Sequence, residues 1–135
     1  MKRLLLTTLF LTNFSVFAEV VVVVHPSNSA ALNAEEISKL YLGRTKSFPD
    51  GKAAIPVAQA EGSASTELFN QKVLNKTGSQ IKAYWSKLVF TGKGTPPKEV
   101  SSDQEVIELV SQNPSVIGYI NKSAVTDAVK VVATF

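Results

Sequence analysis

The chain has 135 residues, of which 44% are hydrophobic and 19% are charged, and its formal net charge is +3. It contains no cysteine, which excludes structural disulfides and metal–thiolate sites. Without Lys2 and Arg3 the chain carries 12 basic and 11 acidic residues. Nucleic-acid binding favours a strongly basic domain, so we do not expect a nucleic-acid partner.

The start of the chain has the pattern of a cleavable export signal. A basic start and a mostly apolar stretch precede Val16 and Ala18, which occupy the −3 and −1 positions of a small-residue cleavage site. The alternative is a membrane anchor, but a spanning helix needs about 20 predominantly apolar residues. We therefore predict a signal peptide at residues 1–18 and one periplasmic domain, not embedded in the membrane, at residues 19–135.

The first predicted element of that domain is a buried strand. Val20–Val24 is a run of five valines, and an unbroken β-branched run is typical of a strand covered on both faces. The pattern predicts a central parallel strand. Ser27 and Asn28 follow it and are expected at its carboxyl end.

Helices and strands alternate along the rest of the domain. Asn33 with Glu36 predicts a capped helix start, and Gly43 is placed to end that helix. A second strand is predicted at 53–58, where Pro56 indicates an edge position or a bulge. The later predictions are a helix opening at 61–66 and stopping at Gly78, a helix capped by Ser79, a helix capped by Ser102 with Glu105, and strands at 116–120 and 129–132.

The clearest periodic segment lies in the helix after Gly78. Its apolar residues recur at helical spacing, which predicts one inward-facing stripe; they are Ile81, Tyr84, Trp85, Leu88 and Val89. Together with the alternation of buried strands and helices, this stripe predicts an α/β domain whose sheet is covered by helices.

The best candidate binding site is the loop that follows the second strand and opens the next helix. Ligands of such sheets bind at the carboxyl ends of strands, and a helix start attracts anions through its unpaired N–H groups. The loop consists of Gly62, Ser63, Ala64, Ser65 and Thr66. Ser27 and Asn28 are expected to lie nearby and to join the ligand-binding set. The same residue types also suit ordinary turns and helix caps, so that interpretation stays open.

Residue patterns typical of enzymes are scarce. His25 is the only histidine, no nucleophile-elbow motif accompanies it, and there is no cysteine to complete a metal site. We predict no catalytic residue, no metal and no cofactor. The protein is therefore expected not to be an enzyme.

One segment is rich in lysine. Between Leu68 and Lys98 there are six lysines and no acidic residue. This pattern fits a solvated helix face, and it also fits a surface that attracts anions or an acidic partner.

Several runs of the sequence resemble the periplasmic phosphate-binding proteins of ABC transporters. The resemblance implies a type II periplasmic-binding fold, of which this chain would be a single lobe with a central, mostly parallel sheet flanked by helices. The runs are Leu40-Tyr41-Leu42-Gly43, Phe48-Pro49-Asp50-Gly51, the stretch from Ile55 to Phe69, Tyr84-Trp85, Pro114 and Ile117-Gly118-Tyr119-Ile120.

The family's anion loop reads Arg-x-Asp-Gly-Ser-Gly-Thr, and this chain departs from it. Gly62 and Ser63 match, and Ser65 replaces the threonine conservatively. Gln59 stands in place of the arginine and Ala64 in place of the second glycine. Arginine supplies a charged bidentate contact to phosphate. The resemblance thus adds Gln59 to the candidate site and implies that phosphate or a related oxyanion binds only weakly.

Two functions follow from these observations. The first is an exported solute-binding-like module that binds phosphate or a related oxyanion weakly, in connection with phosphate ABC transport. The alternative is a periplasmic protein-interaction module that kept the fold and lost the ligand. The expected partners are an ABC transporter or another envelope protein, and a second copy of the chain that would cover the open ligand face.

Overall fold

A computed structural model describes residues 18–135, so the predicted signal peptide lies, apart from Ala18, outside the described residues. The strands are β1 (Val20–Val24), β2 (Ile55–Gln59), β3 (Lys98–Val100), β4 (Val116–Asn121) and β5 (Lys130–Thr134). The helices are α1 (Ala34–Tyr41), α2 (Ala64–Phe69), which continues into a π-helical segment at Asn70–Leu74, α3 (Gly78–Phe90) and α4 (Asp103–Gln112). A 3₁₀ turn covers Lys122–Ala124. None of the helices in this part of the chain is long and apolar enough to cross a membrane.

The five strands form one sheet in the order β3-β2-β4-β1-β5. β2 runs parallel to β3 and β4, whereas β1 runs antiparallel to β4 and β5. Four strands therefore point one way and β1 points the other, so the sheet is mostly parallel. The prediction that β1 is a parallel strand was wrong, because a valine run indicates burial on both faces and carries no information on direction.

The double-sided burial of β1 is confirmed. Val20, Val22 and Val24 belong to one core cluster, whereas Val21 and Val23 belong to the other, and none of the five is more than 1% exposed. Successive side chains of a strand point to opposite faces, so β1 contributes to both layers of the core.

Helices cover both faces of the sheet. The larger cluster joins β1 and β4 to α1, α2 and the π-helical segment, and it includes Ile37, Phe69 and Tyr119. The smaller cluster joins the opposite face to α4 through Val106 and Val110. The predicted α/β domain with a helix-flanked sheet is therefore confirmed.

Some local predictions are corrected by the structure. β3 was not predicted, and its three residues are too few to show a pattern. Pro56 does not lie on an edge strand, because β2 is flanked by β3 and β4. The β3 pairing starts only at Val57, whereas Pro56 pairs with β4 alone. One side of β2 is therefore unpaired at Pro56, where the missing N–H costs no ladder hydrogen bond.

Helix termini follow the predicted chemistry closely. Asn33 and Glu36 form the expected capping box, and Gly43 follows the end of α1 with a φ of +70°. α3 begins two residues earlier than predicted: Gly78 is its first residue, and Thr77 rather than Ser79 is the cap. Helix ends are thus specified by short polar side chains close in sequence.

The apolar stripe of α3 is only partly buried. Trp85 is 8% exposed and lies in the core, but Val89 is 54% exposed. The far end of α3 is therefore exposed, and the prediction of a fully inward stripe was wrong there.

Gly118 permits α4 to pack closely on β4. A Cβ at Gly118 would overlap a Val106 methyl group and would lie 3.2 Å from Cγ2 of Val57. We expect Gly118→Ala to lower the free energy of unfolding by about 1–3 kcal/mol, because overpacking a core forces its neighbours to move. Gly78→Ala is the matched control, since nothing lies within 4 Å of its added Cβ. Equal urea midpoints for the two variants would show that the α4 contact is loose.

Candidate functional site

The predicted anion loop connects β2 to α2 at the carboxyl end of β2. Gly62 has a φ of +83°, and nothing lies within 4 Å of the position where a side chain would begin. Ser63 is the helix cap, and its hydroxyl accepts the N–H of Thr66 at 3.2 Å. The loop therefore approaches solvent at Gly62 and ends in an ordinary helix cap.

Two of its hydroxyl groups are engaged in internal hydrogen bonds. Ser63 Oγ donates to Thr66 Oγ1 at 2.8 Å, and Thr66 Oγ1 in turn donates to the Gln59 carbonyl at 3.0 Å. Thr66 is 8% exposed. Because each hydroxyl has one proton to give, neither group is free to donate to a ligand in this arrangement.

Tyr119 completes this network from β4. Its hydroxyl accepts the backbone N–H of Gln59 at 3.0 Å and lies 2.9 Å from Thr66 Oγ1. Its ring stacks on Phe69 with centroids 4.1 Å apart, and Tyr41 meets Phe69 edge-on at 4.6 Å. Burial raises the pKa of both tyrosines, and Tyr41 is additionally affected by Tyr119. Sequence reasoning placed no functional role on Tyr119, whose partners are distant in sequence.

Gln59, which stands in place of the family arginine, is directed inward. Its side-chain amide donates to Asp103 Oδ1 at 2.6 Å and to the Tyr119 carbonyl at 3.0 Å, and the residue is 6% exposed. Asp103 also accepts the N–H of Asn121. Gln59 therefore links β2, β4 and the start of α4 rather than presenting its amide to solvent.

The donors that remain accessible lie at the first turn of α2. The backbone N–H groups of Ala64 and Ser65 donate to no residue in the described part of the chain, and neither does the Ser65 hydroxyl. Ala64 is exposed and Ser65 is half-buried. The first N–H groups of a helix have no partner within the helix, so these three groups are the donors that an anion could meet.

Ser27 and Asn28 lie at the other end of the sheet. Val24 pairs with Ile117, near the start of β4, and Pro56 near the start of β2 pairs with the same residue. The expectation that Ser27 and Asn28 join the loop was wrong, because β1 runs antiparallel. Ser27 bonds to His25 at 2.7 Å and Asn28 accepts the N–H of Ala30 at 2.9 Å, as in an ordinary turn.

A cavity of about 160 Å³ lies beside the network, between the sheet and the helices α2 and α3. Its walls are mostly apolar and aromatic, and they include Phe69, Trp85 and Tyr119. No cluster of residues suited to hold a metal ion occurs among residues 18–135. The cavity was not predicted, because its aromatic residues have the same sequence pattern as core residues.

Comparisons with known proteins bear on the fold alone. No protein-family model matches the chain, and no curated protein matches its sequence. Solved structures do match. One of them, from Clostridium perfringens, is assigned as a phosphate ABC transporter substrate-binding protein and contains bound phosphate. It matches with a TM-score of 0.67 and 19% sequence identity, and the match covers 85% of this chain and 44% of that one.

Two further solved structures of phosphate receptors share this fold. An ABC-type phosphate transport receptor from Vibrio cholerae matches with a TM-score of 0.64 and 16% identity over 85% of this chain and 45% of its own. PstS from Borrelia burgdorferi matches with a TM-score of 0.63 and 18% identity. That match covers 86% of this chain and 47% of the PstS chain. The chain has the fold of part of a phosphate receptor. It spans less than half the length of each, as a single lobe would, and the predicted fold resemblance is confirmed.

The two buried tyrosines predict how stability responds to alkaline pH. Because the pKa of Tyr41 and Tyr119 is raised in the folded state, the unfolded state loses their protons first, near pH 10. The free energy of unfolding should therefore fall as pH rises above about 10. Tyr41→Phe should reduce that slope. Chemical denaturation at several pH values measures it, and an identical pH dependence in the variant would contradict the assignment.

Proposed function

We propose that the mature protein is an exported module that binds phosphate or a related oxyanion weakly at the start of α2. The observation that carries the proposal is the set of unpartnered donors at Ala64 and Ser65, beside the open Gly62. A fold shared with phosphate receptors supports the same function. The N-terminal partial charge of a helix adds to the attraction of an anion.

The weakness of binding follows from the groups that the loop lacks. Gln59 occupies the position of the family arginine, and its side-chain amide donates to Asp103 instead of facing the ligand. A hydrogen bond to a charged group is worth about 1.5–3 kcal/mol, which corresponds to roughly 10- to 100-fold in affinity. The chain also spans less than half of the receptors it resembles. We expect a dissociation constant on the order of 0.1–10 mM.

The setting of the protein is part of the proposal. A cleaved signal peptide at residues 1–18 would release the domain at residues 19–135 into the periplasm. There it would act without a cofactor, as a binding protein rather than an enzyme, next to a phosphate ABC transporter or another envelope protein. Self-association into a homodimer would cover the face that a second lobe covers in a longer receptor.

A protein-interaction module remains the alternative, and one surface favours it. Phe90 is 92% exposed at the end of α3, next to Val89, which is 54% exposed. Lys87 and Lys93 flank this pair in sequence, and neither forms a salt bridge within residues 18–135. Exposed apolar groups beside free cations suit an acidic protein surface.

Calorimetric titration with phosphate and sulfate tests the leading function. Ser65→Ala should weaken phosphate binding about 10-fold, because it removes one hydroxyl donor to a charged group, taken at the lower end of the range for such bonds. Ala64→Glu should abolish binding while leaving the fold intact, since an acidic residue suits the first turn of a helix. Ser86→Ala, at an exposed position of α3, is the control and should bind as the parent does.

The outcome also separates the two functions. Binding that is insensitive to both loop variants would place the anion elsewhere and contradict the proposal. The absence of binding with either anion at tens of millimolar would favour the interaction module, and a pull-down that depends on Phe90 would then support it.

A further inference from the structure

The cavity beside α2 contains a polar side chain whose hydrogen-bonding capacity the protein leaves unused. Asn70 is 8% exposed and lines the cavity. No hydrogen bond formed among residues 18–135 involves its side-chain amide, although every fully buried side-chain polar atom described has a partner. The Asn70 amide is therefore not fully buried, and a group that enters the cavity can bond to it.

The walls around Asn70 set the shape of that group. Trp85, Phe69 and Tyr119 present aromatic surface, and Pro96 and Pro97 also belong to the lining. The volume of about 160 Å³ is close to that of a cavity which accommodates a single benzene ring. This volume suits a compound of about one ring with one polar group.

The charges at the cavity disfavour an anion. Glu61 and Glu99 line it and are exposed, and one cation, Lys82, lies among the lining residues. The Glu99 carboxylate is close enough to contribute to the raised pKa of Tyr119, whose main cause is burial. A negative balance beside aromatic faces favours a cation, which is attracted both by the carboxylates and by the ring faces.

We propose that this cavity, which shares Gln59 and Thr66 with the candidate site but not its accessible donors, is a second binding site for a small aromatic amine. The ring packs against Trp85 and Phe69, the ammonium group donates to the Asn70 side-chain carbonyl, and Glu61 and Glu99 supply the charge. The site does not depend on the oxyanion function, since its residues exclude the donors at Ala64 and Ser65.

Three probes of equal size test the proposal on the full chain: benzylamine, benzyl alcohol and benzoate. Trp85 is the only tryptophan, so its fluorescence reports on the cavity, and backbone amide chemical shifts locate the binding. We expect benzylamine to bind more tightly than benzyl alcohol, and benzoate to bind least. Loss of this order, or shifts that map outside the cavity lining, would overturn the proposal.

Two variants separate the polar contributions. Asn70→Leu should weaken benzylamine binding about 10-fold, the effect of losing one hydrogen bond to a charged group at the lower end of its range. Glu99→Gln should reduce the preference for benzylamine over benzyl alcohol, whereas Glu108→Gln, an exposed residue on α4, should leave it unchanged. Should Asn70→Leu fail to fold, Glu99→Gln still decides, since an unchanged preference in that variant contradicts the charge assignment.

Discussion

The Tyr119 hydroxyl is the group on which the candidate site depends. It accepts the N–H of Gln59 and bonds to Thr66 Oγ1, so a single oxygen joins the end of β2, the first turn of α2 and β4. The ring is fixed by stacking on Phe69. Thr66 then positions the hydroxyl of Ser63, and Ser63 caps the helix. The conformation of the loop and the direction of its free N–H groups follow from this chain of contacts.

The fold could be predicted from the sequence wherever the determinant is local. The capping box of Asn33 and Glu36 and the left-handed Gly43 involve residues a few positions apart, and both were confirmed. The direction of β1 could not be predicted in this way. It depends on pairing between Val20 and Asn121, which are far apart in the sequence, and the valine run is compatible with either direction.

The candidate site shows the same division between local and distant determinants. Ser63 and Thr66 were predicted as members of the binding loop, but their hydroxyl protons are taken up within a network that Tyr119 completes from β4. Gln59 was predicted to face the ligand, yet Asp103 from α4 holds its amide. The freedom of the Ala64 and Ser65 N–H groups follows from helix geometry alone. Residue types thus predicted the location of the loop, and tertiary contacts decided which of its groups remain available.

A double-mutant cycle between Tyr119 and Thr66 tests the central role of that hydroxyl most directly. Tyr119→Phe and Thr66→Val each remove one oxygen and preserve the shape of the side chain. The free energy of unfolding of both single variants and of the double variant gives their coupling. The account predicts a coupling of about 0.5–1.5 kcal/mol, the net value of one buried hydrogen bond. Additive losses, with no coupling beyond about 0.3 kcal/mol, would show that Tyr119 does not hold the loop.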